Sequence, residues 1–198
     1  MNPNQQGCSF SSKSIAGVGV IFYVMLALRA RLREMNWFTD KDIAEPKLAD
    51  LLDLVALGTV ADVVALDRNN RILVSEGLGR IRAGRTRPGI KSLLEIANRS
   101  IARLTATDLG LSIGPRLNAA GRLDDMSTGI ECLLTEHEGS AYKLAIQLDG
   151  MNKDRKQIED DMRQQAFKFL QDFSLEGSDL PPALCIYDAR WHQGVVGI

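Results

Sequence analysis

The sequence is poor in the residues from which self-sufficient chemical sites are commonly built. Among 198 residues there are two histidines, His137 and His192, and three cysteines, Cys8, Cys132 and Cys185. The cysteines are odd in number and far apart, with no C-x-x-C pair. That excludes a disulfide framework and a zinc ligand set, and it fits a reducing, cytoplasmic setting. There is no G-x-x-x-x-G-K-[ST] or G-x-G-x-x-G stretch, so a nucleotide-cofactor loop is not indicated. Nor is there a Ser/His/Asp or Cys/His arrangement for nucleophilic catalysis. The net charge is −1, from 24 Lys+Arg against 25 Asp+Glu, which excludes a globally basic nucleic-acid binder but leaves a locally basic face open. The longest uncharged run near the N-terminus, Ser14–Leu28, is shorter than the roughly 20 residues of a membrane span and contains Gly17 and Gly19. It reads as a buried helix rather than a span or a signal peptide, which predicts a soluble chain with no membrane partner.

The remaining composition is that of a globular protein. Hydrophobic residues make up 45% and charged residues 25%, which excludes disorder and low-complexity classes. The length allows one large domain or two small ones. Residues 1–13 read as an irregular lead-in. Apolar spacing then predicts helices from Ser14 to about Met35 and over Leu48–Leu57, followed by a tight segment, Gly58–Val64, with Asp62 inside an apolar run. Residues 68–103 carry nine basic residues against two acidic ones, on short helices predicted at about 71–83 and 90–98. Gly114–Arg122 is too rich in Gly and Pro to predict a regular element. A helix near 127–136 follows, and then one long helix from Gly139 to about Phe173. Its apolar stripe runs through Leu144, Leu148, Met151, Ile158, Met162, Ala166, Phe169 and Phe173. At 1.5 Å per residue it would measure about 50 Å, the length of a link between two domains. Ser174–Pro182 reads as a breaker and Ala183–Tyr187 as a strand.

Three stretches are candidates for chemistry. Asp62, flanked by Val60, Ala61, Val63 and Val64, suits a ligand to a hard divalent cation, or equally a helix cap or a partner for a nearby arginine. Gly114–Arg122 offers glycine-freed amides, an asparagine and two arginine forks, a set suited to phosphate. Its competing reading is a structural turn whose arginines pair with Asp124 and Asp125. The basic stretch 68–103 is compatible with tracking a nucleic-acid backbone but lacks interleaved aromatics, so a solvated face explains any one of its arginines better. His137, between Glu136 and Glu138, reads as a surface group. His192 either faces a site or packs beside Trp191.

These pieces resemble one family. Leu51–Val64 resembles the fourth motif of the DHH phosphoesterases, with Asn69-Asn70-Arg71 following. Gly114-Pro115-Arg116-Leu117-Asn118-Ala119-Ala120-Gly121-Arg122 is similar to the G-P-R-[IL]-N-A-A-G-R signature of that family's bacterial single-strand-specific 5′→3′ DNA exonucleases. Trp191–Ile198 resembles their H-x-G-V-x-G-I motif, and Asn2-Pro3-Asn4 and Lys13–Val20 are also similar. The resemblance covers essentially the whole chain in the same order. It implies phosphodiester hydrolysis by water activated on two Mn²⁺ or Mg²⁺ ions, in DNA repair and recombination. It implies that Asp62 is a metal ligand, that Arg116, Asn118 and Arg122 hold DNA phosphates, and that His192 lies at the start of a second half.

The implied fold is α/β and helix-dominated. Residues 1–138 would form the C-terminal part of a DHH core, 139–175 a connector helix, and 176–198 the start of a DHHA1-like α/β domain. The implied partners are single-stranded DNA, a helicase and a single-strand-binding protein, with the full-length enzyme a monomer. The family's D-x-D segment, a further aspartate, the Asp-His-His triplet and the downstream G-G-H motif are absent from these residues. The expectation is therefore an internal slice of such an enzyme, catalytically silent by itself. A non-catalytic DNA- or helicase-binding scaffold is the alternative, and a helical interaction protein built on the 139–173 stripe is a weaker third.

Overall fold

The computed structural model describes residues 2–172 and 183–196. Nine α-helices follow one another among them: α1 (Gly17–Glu34), α2 (Trp37–Asp40), α3 (Leu52–Ala61), α4 (Arg68–Arg82), α5 (Pro88–Ile96), α6 (Ala106–Asp108), α7 (Gly114–Leu123), α8 (Ser127–Leu134) and α9 (Glu138–Asp172). Helix α1 begins at Gly17, three residues after the predicted Ser14, and closes with Arg31 and Arg33 in its last turn, where cations suit the helix dipole. It stops because Asn36 takes the left-handed conformation, φ 54, which asparagine tolerates better than most residues.

The middle of the molecule is α3, whose sequence Leu-Asp-Leu-Val-Ala-Leu-Gly-Thr-Val-Ala is apolar nearly all round. A helix of that kind has to be covered on every side. Val55, Ala56, Leu57 and Thr59 are buried. Helix α4 crosses it at Gly77, where a Cβ would lie 2.2 Å from the Leu52 carbonyl oxygen and 2.4 Å from Ala56 Cβ. Helix α1 packs on a second side through Phe22, beside Val55 and Leu73. Helix α4 begins at Asp67, which accepts from the Asn70 amide at 2.9 Å and from Ser12 Oγ at 2.6 Å, and these bonds hold its carboxyl below the usual range. Asn70 is buried, and its side-chain amide donates to the Ser14 and Ala65 carbonyls at 2.9 and 2.8 Å. The Asn69-Asn70-Arg71 segment thus ties the N-terminal segment to the turn after α3.

Gly114–Arg122 is helical, against the irregular segment expected from its composition. Residues 106–123 run continuously through α6, a π-helical turn (Leu109–Ile113) and α7. Pro115 explains the wide turn. It has no N–H for the Leu111 carbonyl and its ring would collide with that oxygen in a regular helix. The glycines serve close packing instead of a loop: Gly110 lies against Val60, and Gly114 against Ala61.

Helices α5, α7 and α8 pack on the first half of α9. The face α9 buries is Ala141, Ala145, Leu148, Asn152 and Arg155, spaced by four and three residues. The predicted stripe is rotated slightly from this face: Leu144, Met151, Ile158, Met162 and Ala166 are half-buried, and Phe169 is exposed. Small alanines occupy the closest approach because they let neighbouring backbones come near. Phe173 and the Ser174–Pro182 breaker lie outside the described residues. The strand expected at Ala183–Tyr187 is not formed, since no strand among the described residues is present to complete its ladder. No described helix is long and apolar enough to cross a membrane.

Two predictions follow from the packing. Gly77→Ala forces a Cβ onto backbone and is expected to destabilise the chain by about 1–3 kcal/mol. Gly79→Ala, on the same helix with open space around it, is expected to stabilise by about 0.5–1 kcal/mol. Urea midpoints of the two variants check the contrast. Cys132 is fully buried beside α9, and burial pushes its thiol up to about 11 from an ordinary 9.0. Its protonated form is thus favoured by the fold, so the associated stability is complete below about pH 9 and lost as pH rises through about 11. At pH 8 a thiol reagent should label the exposed Cys185 and leave Cys132 unreacted until denaturant is added. Rapid labelling of Cys132 in the native chain would contradict its burial.

Candidate nucleic-acid interface

Asp62 terminates α3, and its own amide closes the last helical turn to the Gly58 carbonyl at 3.0 Å. The side chain is exposed and makes no hydrogen bond or ion pair with the described residues. The chain leaves the helix through Val63, which adopts φ 56 although it is β-branched and exposed. A left-handed β-branched residue costs on the order of 1–3 kcal/mol, and such strain gathers at functional sites. Because Ala61 lies against Gly114, Asp62 emerges next to the beginning of α7.

The helical form of Gly114–Arg122 separates its polar residues. Asn118 and Arg122 are four apart and share an exposed face. Arg116, about 200° round from Asn118 at 100° per residue, turns to α9. Its Nε and Nη2 reach Asp149 Oδ1 at 2.9 and 2.8 Å, and its Nη1 donates to the Ser112 carbonyl of the π-turn. Three of the five N–H directions of that guanidinium are therefore committed within the protein. Asp149 also receives Lys153 Nζ at 2.8 Å. Burial alone would raise the Asp149 carboxyl, but Lys153 and Arg116 outweigh it and hold the group below its ordinary range. The alternative pairing with Asp124 and Asp125 does not occur; Asp125 instead bonds to Ser127.

Arg122 meets the C-terminal turn. Its Nη1 donates to the Gly194 carbonyl at 3.2 Å. His192 is half-buried in that turn and its Nδ1 accepts from the Gly194 amide at 3.1 Å. The structure thus brings Asn118, Arg122 and His192 to one end of α7, with Asp62 beside the other end and Arg116 turned inward between them. Asp62 alone cannot hold two ions, and among the described residues no group of three His, Cys, Asp or Glu side chains is placed to bind a metal.

The basic stretch does not form a free track. Arg80 pairs with Asp50, Arg87 with Asp53, Lys91 with Glu138 and Arg99 with Asp108, while Arg82 donates to the Leu104 carbonyl at 2.7 Å. Sequence reasoning overlooked Asp53, the second aspartate set in an apolar run. It is 1% exposed and accepts from Thr86 Oγ1 and the Arg87 amide, each at 3.0 Å, pinning the loop between α4 and α5. The signal was the same as for Asp62. Only the fold tells the satisfied carboxylate from the one left open.

No family model matches the chain. Proteins named single-stranded-DNA-specific exonuclease RecJ from Dickeya dadantii and Escherichia coli are each 58% identical over all 198 residues, and the chain spans 34% of their length. Among solved structures, RecJ from Thermus thermophilus in complex with Mg²⁺ matches with TM-score 0.74 at 31% identity, over 96% of this chain and 27% of that one. A crystal structure of exonuclease RecJ bound to manganese matches with TM-score 0.73 at 32% identity, over 96% of this chain and 44% of that one. The helix-dominated layout is that of a segment of the DHH-type exonuclease fold. Within that class, the whole chain is similar to about one third of the RecJ exonucleases' length.

Asp149→Asn leaves Arg116 without a charged partner and is expected to cost on the order of 1.5–3 kcal/mol at pH 7. The Asp149 carboxyl is depressed in the fold, so its contribution is present above the unfolded value near 4 and disappears as pH falls through the folded value. Urea midpoints of wild type and Asp149→Asn should therefore differ at pH 7, and the gap should narrow steadily as pH falls below about 4. A gap that persists at low pH would refute the electrostatic origin.

Proposed function

We propose that this chain is the part of a metal-dependent, single-strand-specific 5′→3′ DNA exonuclease that grips the phosphodiester backbone beside the metals. The observation that carries the reading is 58% identity to RecJ exonucleases across all 198 residues. Asn118 and Arg122 hold phosphate oxygens from their shared exposed face, the arginine by a planar fork with permanent charge and the asparagine by its amide. Arg116 keeps α7 seated on α9, and the two N–H groups it has left are its contribution to the strand. Asp62 is one ligand to Mn²⁺ or Mg²⁺, the ions carried by the related structures. The other ligands belong to residues outside this chain, so cutting is assigned to the longer protein and the chain by itself is silent.

In this reading, residues 1–138 complete a DHH core, 139–175 connect, and 176–198 open a DHHA1-like domain. The setting is cytoplasmic DNA repair and recombination, on 5′-ended strands exposed by a helicase and covered by single-strand-binding protein. The full-length enzyme acts as a monomer.

Fluorescence anisotropy with an oligothymidylate, measured across a salt series, tests this. Removing one phosphate contact from a single strand lowers the slope of log affinity against log salt by about 0.7, the change expected for Arg122→Ala. Asn118→Ala should weaken binding with the slope unchanged. Incubation with Mn²⁺ and single-stranded DNA should release no nucleotides; release would overturn the silent reading. If the chain ignores the oligonucleotide at every salt concentration, the gripping role is lost, and a helicase-binding scaffold becomes the better account.

A further inference from the structure

The turn after α9 is docked at several points. The Trp191 amide bonds to the Asp188 carbonyl, and the Val195 and Val196 amides both reach the His192 carbonyl, each at 3.0 Å. Val195 is buried, and Trp191 Nε1 donates to Gln165 Oε1 of α9 at 2.9 Å. Gly194 sits directly on the end of α7: a Cβ there would lie 2.3 Å from the Arg122 carbonyl oxygen and 3.2 Å from His192 Cε1. No side chain fits at that position without lifting the turn away, because the obstacle is backbone.

Gly194 also joins two side chains that the sequence keeps 70 positions apart (192 − 122). Its carbonyl receives Arg122 and its amide donates to His192 Nδ1. An imidazole that accepts at Nδ1 carries its proton on Nε2 when neutral, so the ring presents a single donor there. The charge for gripping an anion comes from Arg122; His192 adds a directional hydrogen-bond donor.

We propose that His192 is a phosphate-binding group, donating from Nε2–H to the phosphodiester held by Arg122 and Asn118, and that Gly194 is the positioning residue that sets the pair together. The proposal rests on the DNA-gripping role of Asn118 and Arg122 given above. The occupant is a single-strand phosphodiester; free phosphate shares its chemistry but lacks the flanking nucleotides of a strand.

The chain has only two histidines, which makes the test direct. In ¹⁵N-histidine-labelled chain, His192 should show a protonated Nε2 and an unprotonated Nδ1 at neutral pH. Adding an oligothymidylate should move the His192 Nε2–H resonance and leave the exposed His137 unmoved. Inorganic phosphate should move it only at much higher concentration; an equal response would reassign the site to free phosphate and overturn the DNA assignment. His192→Phe should weaken oligothymidylate binding about tenfold, as expected for one charge-assisted hydrogen bond, and His192→Gln, which keeps a donor at the same reach, should restore most of it. Gly194→Ala should match the combined loss of His192→Phe and Arg122→Ala. An Nδ1–H tautomer, an unmoved His192 on DNA binding, or full affinity in His192→Phe would each refute the role of His192 while Arg122-dependent binding stood. Absence of any oligothymidylate binding by the wild-type chain would remove both readings together.

Discussion

One ten-residue helix has almost no surface of its own, and the rest of the molecule is arranged around that fact. Each of four neighbours approaches through a glycine or meets one: α4 at Gly77, α1 at Gly58, where a Cβ would meet Val18, the π-turn at Gly110 and α7 at Gly114. Dispersion and the exclusion of water reward such closeness, and a side chain at Gly77, where the obstacle is backbone, would hold the helices apart. The candidate metal ligand at the end of α3 and the beginning of α7 are neighbours for the same reason. Their proximity is a by-product of core packing before it is a feature of chemistry.

Much of the helical layout was legible because apolar residues recur at helical intervals, and α1, α4, α5, α8 and α9 lie close to their expected positions. Gly114–Arg122 was misread because composition cannot distinguish glycines that loosen a chain from glycines that admit a neighbouring helix. Pro115 deepened the error, since a π-turn that absorbs a proline leaves no local trace in the sequence. The inward face of α9 was displaced for a related reason: large side chains suggest depth, yet Ala141 and Ala145 lie as deep as Leu148.

Partners distant in sequence were the other blind spot. Arg116 finds Asp149 across 33 positions and Arg122 finds Gly194 across 72. A local pattern offered only Asp124 and Asp125. The basic residues of 68–103 follow the same rule, since Asp50, Asp53, Asp108 and Glu138 pair with four of them from elsewhere in the chain. The family resemblance named Arg116, Asn118 and Arg122 as one set; the pitch of a helix divides them into one residue turned inward and two turned outward.

The long helix acts as a ruler. Asp149 fastens the near end of α7 and Gln165 fastens the turn that meets its far end, so 16 residues of α9 (165 − 149), about 24 Å at 1.5 Å per residue, set the spacing between the two attachments. Its charged outer face can change composition freely while that spacing is kept. Its length cannot change so freely: one inserted residue between the two anchors rotates Gln165 by about 100° and carries Trp191 away from the end of α7. Evolution along this helix is therefore constrained by register more than by residue identity.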